Sequence, residues 1–155
     1  MASRTRVKAD DDDTNPDLLG NLRRKAARDF FLVQHRWARV LLMSRDLSGA
    51  QCRVALALLQ HTNLKKFDRD GFLEAWPSQL NIGRLIGQTE RAVWTSISQL
   101  RKAGVIKARR KGKGYAYTFR LSWREKTEDA LGPLLDEWPD GMLKNATVSG
   151  RKLPE

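Results

Sequence analysis

The 155-residue chain has one cysteine, Cys52, and two histidines, His35 and His61. A single cysteine excludes an internal disulfide and any cysteine-rich zinc site, and it fits a reducing compartment. The histidines are far apart, and neither has a cysteine or carboxylate at a ligand spacing, so no metal site is expected. There is no run of about 18 apolar residues, so no transmembrane helix is expected. The opening residues, MASRTRVKADDDD, lack the apolar stretch of a signal peptide, and the expectation is a cytoplasmic protein. A phosphate loop, a dinucleotide fingerprint and a nucleophile elbow are all missing, so neither enzyme activity nor a cofactor is expected. Lipidation motifs and a long basic amphipathic helix are missing too, which argues against a membrane partner.

Charge of one sign is what the chain has in excess. Lys and Arg number 29 against 18 Asp and Glu, a formal net charge of +11. Such an imbalance favours an anionic partner, nucleic acid first. At 41% hydrophobic and 30% charged residues the chain can bury a core. Its length suits one compact domain with an arm or a tail. The charge is not evenly spread. Residues 1–47 carry +3, residues 48–121 carry +10 and residues 122–155 carry −2. Between Arg84 and Arg120 there are ten basic residues and one acid, Glu90. That concentration would place a cytoplasmic protein of this kind with the nucleoid.

Residues 1–15 combine a basic start with the run Asp10–Asp13 and almost no apolar side chains. They are expected to form a disordered arm, and the acidic run a solvated, self-repelling tail rather than a metal site. Over residues 16–47, Leu22, Ala26, Phe30, Val33, Trp37 and Leu41 recur at three- and four-residue steps, the spacing of one long helix or two shorter ones. Ser48 is placed to cap a helix over GAQCRVALALLQHT. Asn63 to Gly71 reads as a polar connection turning into a short segment, Phe72–Ala75. Asp68 and Asp70 fail the spacing of a calcium loop, which needs a third early ligand and a closing glutamate. In the C-terminal part, 122–155, a helix is expected over Glu125–Trp138, interrupted at Gly132-Pro133. A turn then follows at Trp138–Gly141, and a flexible tail after about Asn145.

Residues 76–121 are the informative stretch. Pro77 and Ser78 open a helix that ends at Gly87, a residue that tolerates the left-handed conformation of a tight turn. Thr89 caps a second helix, running to about Ala103 and stopped by Gly104. At about 100° per residue, Val93, Ile97 and Leu100 fall on one side. Arg91, Thr95, Ser98 and Lys102 fall on the other, with Trp94 at the border. Two strands, Val105–Arg109 and Tyr115–Leu121, flank Arg110-Lys111-Gly112-Lys113-Gly114. A tip carrying Arg109, Arg110, Lys111 and Lys113 is too charged to pack inward and suits phosphates.

This order of elements resembles the winged helix-turn-helix fold over residues 48–121. Counting from Gln79 as the first position of the motif, Gly83 is fifth, Gly87 ninth and Val93 fifteenth. The family keeps a small residue, a turn glycine and an aliphatic residue there. Ala75-Trp76-Pro77-Ser78-Gln79 looks like the helix opening in helix-turn-helix domains of bacterial plasmid and phage replication proteins. The run from Thr89 to Val93, with Ile97, Leu100, Gly104 and Ile106, is similar to their recognition helix and to that of MarR- and GntR-like regulators. The fold class so implied is mainly α with a small β-hairpin wing and an N-terminal helical extension.

The resemblance implies binding to double-stranded DNA, with the second helix in the major groove. Arg91 is the candidate for guanine, because its fork reaches O6 and N7 together. Thr89, Thr95, Ser98 and Lys102 are candidates for bases or phosphates. Gln88 either reads adenine or holds the turn. Trp94 either meets a thymine methyl or sugar, or packs on the wing or a partner subunit. Arg84, Arg109, Arg110, Lys111 and Lys113 are assigned to phosphates, or for the wing to the minor groove. The function expected is a transcription regulator acting as a homodimer. Phe30, Phe31, Trp37 and Leu41 offer apolar surface for pairing through residues 16–47. A plasmid or phage replication protein and a winged-helix protein-interaction module are the alternatives.

Overall fold

A computed structural model of the chain describes residues 16–135. The arm expected over residues 1–15 and the turn and tail expected beyond residue 135 lie outside the described residues. The fold is mainly helical, with one small antiparallel sheet. Helix α1 runs over Pro16–Met43, α2 over Gly49–Gln60 and α3 over Leu64–Asp70. Strand β1 is Glu74–Ala75. Helices α4 and α5 follow over Gln79–Ile86 and Glu90–Lys102. Strands β2, Ile106–Lys111, and β3, Gly114–Phe119, come next, then α6, Leu121–Leu131, and a 3₁₀ turn, Gly132–Leu135.

The stripe read from residues 16–47 forms a single helix of 28 residues, about 42 Å long. Its second half is built into the core: Phe30, Trp37 and Leu41 are buried with Val54, Leu58 and Leu59 of α2 and with Leu73, Ile82, Val93, Ile97 and Leu100. Trp37 meets the Phe119 ring edge-on at 5.0 Å and stacks on Trp123 of α6 at 6.0 Å. Phe30 packs against Phe67 of α3. Three of the four residues that suggested pairing between copies are therefore consumed inside the chain, and Phe31 alone of them is exposed. In the first half of α1 the same stripe continues as Leu18, Leu19 and Leu22, and these are exposed, Leu22 at 55%.

Capping explains where the helices begin. Ser48 closes a capping box with Gln51, and its hydroxyl accepts from the Gln51 N–H at 3.2 Å. The connection expected from Asn63 to Gly71 is instead helix α3. Asn63 caps it by accepting from the Lys66 N–H at 2.9 Å, Lys66 and Asp70 pair across one turn at 2.7 Å, and Gly71 ends it at φ 75°. The C-terminal helix begins at Leu121, directly after β3 and four residues before the expected start. It is held to α1 by a two-pronged bond from Arg36 to Glu128, 2.7 Å on each arm.

The sheet has the order β1-β3-β2. Ile106 opposes Phe119 and Ala108 opposes Tyr117, facing the helices, while Lys107 opposes Thr118 and Arg109 opposes Ala116 on the other side. Lys111 pairs with Gly114, so the turn is Gly112-Lys113 and not the five-residue tip expected. Gly112 takes φ 59°, which glycine adopts without strain. Arg110 and Lys111 are consequently strand residues.

Candidate nucleic-acid interface

Helices α4 and α5 are locked together by backbone chemistry. The Ser78 hydroxyl accepts from the Asn81 N–H and the Thr89 hydroxyl from the Ala92 N–H, each at 3.1 Å. Gly87 sits at φ 68° and ends α4. The Gln88 N–H then donates to the Gly83 carbonyl at 2.9 Å. This brings the two helices so close that a Cβ on Gly83 would lie 2.5 Å from the Gln88 carbonyl oxygen. The guanidinium of Arg53 on α2 donates to the Ile86 carbonyl at 2.7 Å and satisfies an end group of α4.

Helix α5 buries Val93, Ile97 and Leu100 as expected, and Ser96 beside them. Its other side presents Arg91, Trp94, Thr95 and Lys102 to solvent, with Ser98 half-buried. Trp94 is 57% exposed. Thr89 is the cap of α5. The Thr95 hydroxyl donates to the Arg91 carbonyl at 3.0 Å, which leaves it an acceptor toward a ligand. Gln88 is half-buried, and its side-chain oxygen is buried without a hydrogen-bond partner among the described residues. Arg84 is exposed in the last turn of α4.

The hairpin residues have distinct surroundings. Arg109 donates to Glu74 at 2.9 Å. That carboxylate, only 2% exposed, also accepts from the Thr118 hydroxyl at 3.3 Å. Arg109 thus shares one guanidinium nitrogen with a buried acid, while its side chain stays 55% exposed. The Lys111 ammonium lies 3.4 Å above the centre of the Trp76 ring, and Arg110 lies 5.6 Å above that of Tyr115. Lys113 is exposed in the turn.

Grooves border these elements. One, of about 540 Å³, runs between α5 and β2 and is lined by Ser98, Arg101, Lys102, Lys107 and Arg120. Arg101, Lys107 and Arg120 were not among the expected site residues. They belong to the same local charge excess, and Lys107 shares its strand face with Arg109 through simple alternation. Another groove, also about 540 Å³, lies between residues 76–79 and the hairpin turn, with Trp76, Gln79, Lys111, Lys113 and Tyr115 among its walls. Of the ten basic residues from Arg84 to Arg120, Arg120 is half-buried and the rest are exposed.

Comparisons with protein-family models, with curated proteins and with solved structures returned no match. The site's own geometry therefore carries the functional reading. Among the described residues no three metal-ligating side chains come together, and no helix is long and apolar enough to cross a membrane. Tyr117 shows what burial does here: desolvation pushes its phenol above the ordinary range, and proximity to Tyr115 adds to this. The arrangement offers a convex helix face of short polar and cationic side chains with cationic grooves beside it.

Proposed function

We propose that the chain is a winged helix-turn-helix protein that binds double-stranded DNA, with α5 as recognition helix and the β2–β3 hairpin as wing. The observation that carries this reading is the exposed polar face of α5, from Arg91 to Lys102, whose C-terminal half, at Ser98, Arg101 and Lys102, shares a groove with Lys107 of the hairpin. The close α4–α5 approach at Gly83 and the left-handed turn at Gly87 support it, because they set the angle at which the second helix projects. In this reading Arg91 reads a base edge, Thr95, Ser98 and Lys102 follow the groove, and Arg84, Arg110, Lys111 and Lys113 neutralise phosphates. Arg101, Lys107 and Arg120 join the phosphate set.

Selection of bound sites from random duplex DNA tests this. Arg91→Ala is expected to cost about 1–3 kcal/mol at one base position. Lys111→Ala should weaken binding to all sequences and lower the salt slope by about one. Absence of any binding to random duplex at low salt would refute the DNA reading in favour of a protein-interaction module.

The biological role proposed is a transcription regulator that acts as a homodimer in the nucleoid. The exposed continuation of the α1 stripe at Leu18, Leu19 and Leu22 supports pairing of two copies through that half of the helix. Light scattering should give twice the chain mass for the protein and a monomer for Leu19→Glu with Leu22→Glu. A monomeric parent protein at micromolar concentration would remove the dimer.

A further inference from the structure

The groove at the hairpin turn holds two exposed aromatic rings side by side with lysines. Trp76 is 42% exposed and Tyr115 39%. Both line the same groove, and each carries a cation over its ring, Lys111 on Trp76 and Arg110 on Tyr115. A paired duplex hides its base faces in its own stack and presents only phosphates, sugars and base edges. Exposed rings inside a cationic groove are matched instead by an unpaired base, whose flat face stacks while its phosphate meets a lysine. The space, about 540 Å³, lies within the range that small-molecule-sized groups fill. Lys113 in the turn and Lys111 on its flexible stem stand where that phosphate would lie. Strand β1 ends at Ala75, so beyond the Ala75–Tyr117 pair the chain departs from β3 and leaves the groove open along its edge.

We propose that this groove binds an unpaired nucleotide, and that the protein therefore prefers DNA in which a duplex adjoins a single strand. The inference rests on the DNA-binding reading and extends it to a second contact. A base entering the groove displaces the Lys111 ammonium from the Trp76 ring, and the ammonium moves onto the phosphate of the same nucleotide. Arg110 braces Tyr115, which also lines the groove. Glu90, the one acid lining the groove, repels phosphate and so biases the entry of the backbone toward Lys111 and Lys113.

The test is fluorescence anisotropy at fixed ionic strength with four DNAs: a blunt duplex, the same duplex with a short single-stranded overhang, that overhang made abasic, and the single strand alone. The overhang is expected to tighten binding about tenfold. The abasic overhang, which keeps the phosphates and loses the bases, should bind like the blunt duplex. Trp76→Ala and Tyr115→Ala should each remove most of the gain. Thermal melting confirms that they fold, and Trp76→Phe should restore most of it. Equal affinity for the blunt and overhang duplexes, or for the intact and abasic overhangs, would overturn the inference and leave duplex binding standing. Binding to the single strand with none to the blunt duplex would keep the groove and overturn the duplex reading. No binding to any of the four would overturn both.

Discussion

Replacing Gly83 by alanine tests the geometry on which the DNA-binding reading depends. In an exposed helix interior, Gly→Ala gains about 1 kcal/mol from helix propensity. Here the new Cβ meets the Gln88 carbonyl oxygen at 2.5 Å, with the Gln88 and Thr89 carbonyl carbons at 3.5 and 3.6 Å. Ordinary carbon–oxygen contacts lie at about 3.3–3.6 Å, so roughly 1 Å must be made up. The obstacle is backbone and cannot rotate away. Moving the start of α5 outward stretches the 2.9 Å bond from the Gln88 N–H to the Gly83 carbonyl. Overpacking costs about 1–3 kcal/mol and a weakened hydrogen bond about 1 more. Set against the propensity gain, Gly83→Ala should destabilise by about 1–3 kcal/mol.

Urea unfolding reads this as a lower midpoint at unchanged slope, a shift of about 1 M for about 2 kcal/mol. Gly49→Ala is the control. Gly49 opens α2, its added Cβ meets nothing within 4 Å, and the substitution should gain about 0.4–1 kcal/mol. A Gly83→Ala protein as stable as the parent, or more so, would show that α4 and α5 are not in this close contact and would refute the geometry.

Three further outcomes follow from the ion pairs. Arg109→Ala strips the buried Glu74 of its charge partner; because the guanidinium is over half exposed, the expected loss is about 1–2 kcal/mol, and Glu74→Gln in that background should recover part of it in the same unfolding assay. Glu128→Gln removes one of the two oxygens that accept from Arg36 and the counter-charge of Arg124, whose guanidinium burial and then Arg36 push below its ordinary value; the loss expected is about 1–3 kcal/mol, read by denaturation and by faster amide exchange in α6. Hydrogen bonds from Arg69 and then Lys66 hold Asp70 at about 2, below its unfolded value. The unfolded chain therefore binds the proton more readily, so this contribution is present above about pH 4 and disappears as pH falls through about 2. An NMR titration of the Asp70 carboxyl checks the midpoint, and an ordinary value near 4 would refute the pairing.

What was legible in the sequence was local. Ser48, Ser78 and Thr89 are caps, and Gly87 and Gly104 are stops, because each acts on N–H or C=O groups within a few residues of itself. The buried face of α5 follows from its 3.6-residue period. Helix α3 escapes such a reading although Asn63 uses the same capping chemistry, since Lys, Asp and Arg dominate the segment and Leu64 and Phe67 alone mark its apolar side. The hairpin turn escapes it for a related reason. Gly112 and Gly114 both permit a turn, and only the pairing of Lys111 with Gly114 decides which residues turn and which extend.

Partners distant along the chain decide the rest. Periodicity shows that α1 has an apolar stripe and does not say what covers it; α2, α3 and α6 cover its second half. In the same way, the hairpin charges look equivalent when counted. Cross-strand register makes them unequal, because it sets Arg109 within reach of Glu74 and Lys111 over Trp76. Arg109 is then structural, holding β2 to β1 through a buried acid. Arg110 lies over the Tyr115 ring, and Lys113 is exposed in the turn. In the proposed reading, charge-removing substitutions at Lys111 and Lys113 should therefore act on binding, while the one at Arg109 acts first on stability.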